Sequence, residues 1–374
     1  MLVGAGASAG EQAAQHQAIT SHHANTRTEP WYHGYAGGSP TSQVGAPRGS
    51  AMCTRVLWND NDIAVLAGRS MDWPESTEPL LVAFPRGHAR DGGLMAGQTV
   101  VAENPLRWTS TYASLVTTVY GIGSIDGLNE RGLAAHGLYL KATELGARKP
   151  ELPGLHTGLW IQYLLDQAAT VSEALALMKD IQLVMVSAHG FDATIHVAVE
   201  DAGGDSAILE FAAGELVVHH GREFTLMTND PTYDEQLSLL AAQDFSHPSR
   251  DMPLPGNVNA VDRFQRAAYY SALLPSPADE RQAVASVMAI MRNVSVPFGA
   301  PYAEFGVYNT EYRSVCDLTN RRYFFELTTS PSLIWVGLDG LDLDEGAPVT
   351  AVDPYDESLA GNVTQSFTAR GIGF

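Results

Sequence analysis

Residues 52–73 read MCTRVLWNDNDIAVLAGRSMDW, a pattern that predicts a β-hairpin. The runs at 56–58 and 63–66 are rich in residues that favour strands. The Asn and Asp cluster between them contains residues that tolerate the left-handed backbone of a turn. Because a hairpin brings its two ends together, we expect the residues at the head of the first strand to lie close to those at the end of the second.

Cys53, Arg69 and Asp72 occupy these two ends. A thiol reacts as the thiolate and has an ordinary pKa of about 8.5, so a neighbouring guanidinium that lowers the pKa of Cys53 would raise its reactive fraction at neutral pH. The carboxylate of Asp72 would orient the base that takes the proton. No histidine lies at a spacing that places it here. The α-amino group of Cys53, with a pKa of about 8, would serve instead if cleavage after Met52 made Cys53 the first residue.

Four motifs, in order along the chain, carry a resemblance. The first is Met-Cys-Thr at 52–54 with Gly-Arg-Ser-Met-Asp-Trp at 68–73. The others are GLNERGL at 127–133 with Gly-Leu-Tyr at 137–139, Met-Thr-Asn-Asp-Pro at 227–231 with Gln-Leu at 236–237, and Leu-Pro-Gly at 254–256 with Asp-Arg-Phe at 262–264. This order resembles the choloylglycine hydrolase and penicillin V acylase family of N-terminal nucleophile hydrolases.

The resemblance implies roles for particular residues. Family members use a Cys nucleophile with its own α-amine as general base, which implies these roles for Cys53. Arg69 and Asp72 become its electrostatic and orienting partners. The family builds its oxyanion hole from an Asn side-chain amide and a backbone N–H, and Asn229 and the backbone of Tyr139 occupy the matching positions.

Each of these assignments has a structural alternative. Only the motif match selects Arg263, which would otherwise be a simple residue on a helix surface. Cys53 would be a buried thiol at a strand end, and Arg69 and Asp72 would form a structural ion pair. Asn229 would be part of an ordinary turn.

The residue at position 139 separates two branches of the family. Bile-salt hydrolases tend to have Asn at the matching position, whereas penicillin V acylases tend to have Tyr. This chain has Tyr139. The segment between Asn229 and Arg263 is shorter than in the Gram-positive bile-salt enzymes, in which an insertion helps to assemble a tetramer. The resemblance therefore favours the acylase branch and leaves open whether the protein forms a homo-oligomer, either a dimer or a tetramer.

Composition opposes several classes of protein. The chain has 22 Lys and Arg against 42 Asp and Glu, and the formal net charge of -20 disfavours binding to nucleic acid or to an anionic membrane. No apolar run reaches the ~18 residues that a membrane-spanning helix needs. The two cysteines, Cys53 and Cys316, imply no disulfide framework. Cys316 lies in a strand-like run, where we expect a buried free thiol.

Residues 1–52 are interpreted as an extension, leader or propeptide that is disordered or absent from the mature enzyme, and residues 53–374 as a single amidohydrolase domain. The N-terminal segment is rich in small and polar residues and lacks the basic and apolar regions of a secretory signal. It is either an upstream extension of a chain that starts at Met52 or a propeptide removed by self-cleavage. We expect a cytoplasmic protein, or an exported or periplasmic one if residues 1–52 act as an atypical leader.

Periodicity in the rest of the chain predicts an α+β protein. Helices are expected at 157–168, from 170 onwards behind a capping box of Thr170 and Glu173, at 261–273 and at 278–291. Strands are expected at 194–199, 207–211, 312–318, 323–328 and 333–338. His196 would face solvent or have its hydrogen bonds satisfied. Two stacked sheets with helices outside fit this order, and the family resemblance adds a four-layer αββα sandwich of the N-terminal nucleophile hydrolase type.

The sequence thus predicts an amidase that cleaves a linear amide through a thioester acyl-enzyme. Its small-molecule substrate would carry an apolar acyl group such as phenoxyacetyl, a fatty acyl or a bile acyl group. Penicillin V acylase-like activity ranks first, bile-salt hydrolysis second and acyl-homoserine lactone cleavage third. No metal or organic cofactor is required, and the N-terminal histidines lack the spacing of metal ligands: His16, His22, His23 and His33. The alternative from another class is a non-catalytic small-molecule binding protein whose Cys53 stays capped by an intact leader.

Overall fold

The computed structural model describes residues 52–301 and 308–374, without the side chain of Met52. The predicted extension before Met52 and its four histidines lie outside the described residues. The described residues fall within one compact unit. In these ranges no helix is both long enough and apolar enough to cross a membrane.

The strands and helices are numbered in chain order. The strands are β1 Met52–Trp58, β2 Leu66–Asp72, β3 Leu81–Phe84, β4 Ala89–Asp91, β5 Leu94–Met95, β6 Gln98–Thr99, β7 Arg107–Thr109, β8 Ser114–Val119, β9 Gly123–Asn129, β10 Ala134–Tyr139, β11 Gly154–His156, β12 Gln182–Val184, β13 Ser187–Ala188, β14 Phe191–Asp192, β15 Ile195–Glu200, β16 Ser206–Ala212, β17 Glu215–His220, β18 Leu226–Met227, β19 Thr310–Asp317, β20 Arg322–Leu327, β21 Leu333–Gly337, β22 Thr350–Val352, β23 Gly361–Asn362 and β24 Thr368–Ala369. The α-helices are α1 Trp160–Gln167, α2 Val171–Leu177, α3 Tyr233–Ala241, α4 Ala260–Ser271 and α5 Glu280–Asn293.

Two large sheets form the centre of the fold. Within the described ranges the first has seven strands in the order β18-β1-β2-β19-β20-β21-β23, and the second has nine in the order β17-β16-β15-β10-β9-β8-β3-β22-β24. The sheets face each other where β1 contacts β10. Helices α4 and α5 cover β1, β2 and β19 from outside, and α1 and α2 cover β9, β10 and β15. The layer order confirms the predicted αββα sandwich.

The predicted hairpin is the centre of the first sheet. β1 and β2 are antiparallel, with Cys53 opposite Met71 and with β19 along the other edge of β2. In the turn between them, the Asn61 side chain accepts hydrogen bonds from two backbone N–H groups, and Asp62 has a left-handed φ of 60°. The register therefore brings the head of β1 to the end of β2, as the sequence predicts.

Side-chain caps begin three of the predicted helices. Thr170, Asn259 and Asp279 each accept a hydrogen bond from the backbone N–H three residues later. The carboxylate of Glu173 accepts from the backbone N–H of Ala169 rather than from that of Thr170, so the predicted capping box is only partly formed.

Two predicted features of the helices differ in the structure. The helix expected from position 157 begins as a 3₁₀ turn, Thr157–Leu159, and becomes α-helical only at Trp160. Helix α3 was not predicted, because its first turn is polar and only Tyr233 and Gln236 are buried. Its amphipathic signal is correspondingly weak.

A chain of charged side chains is buried between the two sheets. Nη2 of Arg55 on β1 lies 2.5 Å from Glu200 on β15, and Glu200 lies 2.6 Å from Nε2 of His136 on β10. Nδ1 of His136 in turn contacts the carboxylate of Asp126 on β9. Burial opposes a charge on His136, but Glu200 and Asp126 raise the pKa of His136 to about 9. The four groups link both sheets through alternating charges.

We expect His136→Gln to remove a pH dependence of stability. Because the folded-state pKa of His136, about 9, lies above its unfolded value of about 6.5, the protonated imidazole stabilises the fold fully below pH 6.5, and this contribution is lost as the pH rises through 9. Urea titrations should show the free energy of unfolding falling more steeply over this range in the wild type than in the variant, by about 3 kcal/mol. The control is His220→Gln, since His220 is 40% exposed and pairs with Asp205 at the surface. Equal slopes for wild type and His136→Gln would contradict the assignment.

Candidate active site

Cys53 lies at the head of β1 with its side chain only 2% exposed. Nη2 of Arg69 is 3.8 Å from its Sγ, which places the two residues together as the hairpin predicts. Nη1 of Arg69 donates to the hydroxyl of Tyr312 at 2.7 Å, and Nη2 donates to the carbonyl of Gly137 at 3.1 Å. The guanidinium is therefore fixed beside the thiol by one strand of each sheet.

The net pKa of the Cys53 thiol is raised, although Arg69 lowers it as expected. Burial raises it most, while Arg69 lowers it and the Asp72 carboxylate raises it further. The net shift is upward because the cost of removing a thiolate from water exceeds its stabilisation by one nearby guanidinium. In the intact chain the thiol is consequently neutral at neutral pH and requires a base to become a nucleophile.

Asp72 lies at the end of β2, fully buried. One carboxylate oxygen accepts a hydrogen bond from the hydroxyl of Thr310, and the other lies 3.4 Å from Nη1 of Arg263. Burial raises the pKa of Asp72, although Arg263 and Thr310 lower it. The ion-pair partner of Asp72 is thus Arg263, and not Arg69 as the structural alternative supposed.

Arg263 is on helix α4 but is fully buried, so the surface alternative is wrong. Nη1 donates to the carbonyl oxygen of Cys53 at 2.7 Å and also to the hydroxyl of Thr54. Nη2 donates to Oδ1 of Asn229 at 3.0 Å. One guanidinium therefore holds the backbone of Cys53, the amide of Asn229 and the carboxylate of Asp72.

Asn229 follows β18 and reaches the backbone of Cys53. Its Oδ1 accepts a hydrogen bond from the backbone nitrogen of Cys53. Its Nδ2 donates to the carbonyl of Tyr139 at 2.6 Å. A primary amide carries two N–H groups, so Nδ2 retains a second donor. The side chain therefore contacts the nitrogen predicted to act as base and also carries a free donor.

The backbone of Tyr139 points to the same region as these side chains. Alternate residues of a strand direct their N–H and C=O groups to the same edge. The N–H of Leu140 donates to the carbonyl of Thr194, just before β15, so the N–H and C=O groups of Gly137 and Tyr139 face the opposite edge of β10. On that edge β9 pairs with β10 only as far as His136. The N–H of Tyr139 therefore lies past the end of the pairing with β9, on the same edge of β10 as the Gly137 carbonyl that Arg69 binds.

An apolar pocket lies beside Cys53. The edge of the Trp73 ring contacts Tyr139 and Phe191, with ring centroids 5.8 and 5.0 Å apart. The apolar lining comes from both sheets and the adjoining loops: Met71, Trp73, Val119, Ile122, Ile125, Tyr139, Val186, Phe191 and Ile195. Such a pocket suits an apolar group held next to a nucleophile.

The described residues contain one cluster with possible metal-ligand atoms, formed by Asp126, His136 and Cys316. The two ring nitrogens of His136 already contact the carboxylates of Asp126 and Glu200. An imidazolium held in this way has no lone pair for a metal ion. Cys316 is buried and free, as predicted, and burial holds its pKa well above the ordinary value. The cluster is therefore structural.

The sequence-based interpretation of His196 is also confirmed. The ring is buried, with Nδ1 2.9 Å from Glu210 and Nε2 2.7 Å from the carbonyl of Thr228. The functional contacts that sequence reasoning missed are Tyr312 and Thr310, which hold Arg69 and Asp72. Both lie on β19, and no local signal in the sequence indicates that β19 pairs with β2.

Comparison with known proteins identifies the family. Residues 53–351 match the linear amide C-N hydrolases, choloylglycine hydrolase family. The chain belongs to this family. It is 37% identical over 326 residues to penicillin V acylase of Pectobacterium atrosepticum, covering 79% of this chain and 84% of that protein. It is 23% identical over 329 residues to bile salt hydrolase/transferase of Bifidobacterium longum subsp. longum, covering 78% of this chain and 97% of that protein.

Solved structures of family members have the same fold. Penicillin V acylase from Agrobacterium tumefaciens superposes with a TM-score of 0.77 and 35% identity, covering 86% of this chain and 98% of that one. Conjugated bile acid hydrolase from Clostridium perfringens superposes with a TM-score of 0.70 and 20% identity, covering 82% and 98%. The chain is therefore an amidohydrolase of the family that acts on linear amides, and its nearer similarity among these proteins is to penicillin V acylases.

We expect substitutions at Asn229 and Tyr139, the two residues predicted to form the oxyanion hole, to have different effects on the reaction rate. Asn229→Ala removes a side-chain donor, and losing one such donor typically costs about 10²–10³ in kcat. Tyr139→Asn retains the backbone N–H, so it should change the preference between phenoxyacetyl and bile-acyl amides without a comparable loss of rate. Steady-state kinetics on both amides checks this. An equal loss on both substrates for Tyr139→Asn would show that the tyrosine side chain takes part in the chemistry.

The raised pKa of Cys53 predicts how an uncleaved chain reacts with iodoacetamide. Because burial raises this pKa above its ordinary value, alkylation of Cys53 should be slow at pH 7 and should still be rising at pH 9. Mass spectrometry on Cys316→Ala, which retains only the first thiol, measures the rate at each pH. A rate that levels off below pH 8 would contradict the raised pKa.

Proposed function

We propose that the protein is a penicillin V acylase-like amidase in which Cys53, as the first residue of the mature chain, is the nucleophile. The observation that carries the proposal is the position of the Cys53 backbone nitrogen, which donates to Oδ1 of Asn229 while the thiol faces the apolar pocket. Once residues 1–52 are removed, this nitrogen becomes an amine, and its ordinary pKa of about 8 suits a general base. The family match also begins at residue 53.

The proposed reaction begins when the α-amine takes the proton of the Cys53 thiol. Sγ then bonds to the amide carbonyl carbon, and the carbonyl oxygen becomes an oxyanion that accepts from Nδ2 of Asn229 and the N–H of Tyr139. The C–N bond breaks, and the ammonium returns its proton to the leaving amine. Water, deprotonated by the same amine, then attacks the thioester to release the carboxylic acid and restore the thiol.

The remaining buried charges have positioning roles in this proposal. Arg69, 3.8 Å from Sγ, stabilises the thiolate that forms during attack. Arg263 fixes the carbonyl of Cys53 and the amide of Asn229, so it orients the base and the oxyanion donor together. Asp72 compensates the buried charge of Arg263.

The acyl group is proposed to lie in the apolar pocket, with phenoxyacetyl as the preferred group. Tyr139 occupies the position where the acylase branch tends to have Tyr, and its edge-on contact with Trp73 gives the pocket an aromatic wall. Aromatic pairs favour such edge contacts, which a phenoxy ring would extend. Bile acyl and fatty acyl amides are the competing substrates.

Intact mass and activity measured on the same sample test the proposal. Active protein should begin at Cys53 and should release phenoxyacetate from phenoxymethylpenicillin faster than it cleaves glycocholate or an acyl-homoserine lactone. Cys53→Ala should abolish turnover, whereas the matched variant Cys316→Ala should retain it. Full activity in a species that keeps Met52 would exclude the α-amine as base, and a processed but inactive protein would favour the small-molecule binding alternative.

A further inference from the structure

Two hairpin tips meet beside the apolar pocket. One joins β8 to β9 through Tyr120 and Gly121, which have φ of 52° and 64°. The other joins β13 to β14 through His189 and Gly190, which have φ of 52° and 83°. Two consecutive residues with positive φ are typical of the type I′ turn. Each tip therefore consists of a residue with a ring followed by glycine.

The rings of the two tips are in direct contact. Tyr120 and His189 are stacked, with ring centroids 3.9 Å apart and planes 12° from parallel. Oε1 of Glu75 accepts a hydrogen bond from the Tyr120 hydroxyl at 2.8 Å and lies 3.3 Å from Nδ1 of His189. The Nε1 of Trp73 donates to the same hydroxyl at 2.7 Å. A ring stack and a shared carboxylate thus join two loops that are distant in sequence.

The turns themselves do not call for these two side chains. A bulky residue rarely adopts positive φ, and the first position of a type I′ turn favours Asn or Asp. Backbone strain of this kind is found where the side chain has a use that compensates for it. At both tips the ring makes the contact with the opposite tip, so that contact is the evident use.

The contact borders the pocket that Cys53 also lines. Tyr120 lines this pocket, and so do Ala188 and Phe191, the paired residues that flank the tip carrying His189.

We infer that Tyr120 and His189 limit the length of the acyl group that the enzyme accepts. This inference rests on the proposed function, in which the acyl group extends from Cys53 into the pocket. A short acyl group ends before the stacked rings, whereas a longer one must separate them and lose both the stack and the bonds to Glu75. The cost falls only on long acyl groups, so the contact is a specificity determinant.

His189→Asn is the sharpest test, because it replaces the ring and creates Asn-Gly, the sequence that a type I′ turn favours most. Tyr120→Asn does the same for the other tip. We would measure kcat/KM for a series of straight-chain acyl p-nitroanilides from butanoyl to tetradecanoyl. For His189→Asn the ratio of long-chain to butanoyl kcat/KM should rise by about tenfold over the wild type, within the range that changes of pocket size produce. The double variant should gain little beyond either single variant, since both remove one contact.

The matched control is His220→Asn. His220 is 40% exposed, against 49% for the side chain of His189, and also pairs with a carboxylate, but it lies on β17 outside the pocket. It should leave the chain-length profile unchanged. If kcat/KM of His189→Asn rises equally for all chain lengths, the contact controls substrate entry rather than acyl length. If the dependence of kcat/KM on chain length is unchanged, the contact controls neither. Either result would overturn the inference.

A binding measurement separates this inference from the proposed function. Fatty acids of the same chain lengths can be titrated calorimetrically into Cys53→Ala with and without His189→Asn, which requires no turnover. If Cys53→Ala with His189→Asn binds only the longer acids more tightly than Cys53→Ala does, the length limit is supported even if the enzyme hydrolyses none of the anilides. If the two variants bind every chain length with the same relative affinities, while the wild type hydrolyses amides, the length limit is contradicted and the proposed function is not.

Discussion

The buried guanidinium of Arg263 is the interaction on which the site depends. It is fully enclosed, and its partners come from three separate segments: the carbonyl of Cys53, the amide oxygen of Asn229 and the carboxylate of Asp72. An enclosed cation is stable only while such partners surround it, so displacing any one of them leaves charge uncompensated. The segments are consequently held to one another through a helix residue that makes no contact with the pocket itself.

Burial decides the chemistry that this arrangement permits. The thiol of Cys53 is placed where its pKa is raised despite the nearby charge of Arg69, so electrostatics alone do not produce a thiolate. The site therefore requires a proton acceptor, and the nitrogen held by Asn229 lies on the same residue as the thiol. In the proposed mechanism this nitrogen is a free amine only when Cys53 is the first residue, so the thiol would gain its base only in that form.

The two sheets contribute different parts of the site. The first sheet supplies Cys53 with Arg69 and Asp72, and the second supplies the backbone of Gly137 and Tyr139. The buried chain from Arg55 to Asp126 crosses between them and holds their register through alternating charges. Unpairing one member of such a buried network leaves an uncompensated charge, which strongly penalises any shift between the sheets. The sheets are thus kept in the one alignment that places the thiol beside β10.

The sequence by itself determined the hairpin that joins Cys53 to Arg69, because the turn residues and the strand runs are local signals, and its ordered motifs identified the family and the layered fold. It also selected Asn229 and Arg263, through motif matches rather than physical argument. Tertiary structure alone decided that Arg263 is buried, that Tyr312 and Thr310 hold Arg69 and Asp72, and that Tyr120 meets His189. These contacts join residues tens to hundreds of positions apart, where strand pairing and desolvation act and local sequence patterns carry no information. The pKa of Cys53 shows the same contrast. The sequence predicts the neighbouring charge of Arg69 from the hairpin, but only the tertiary structure shows the burial that raises the pKa.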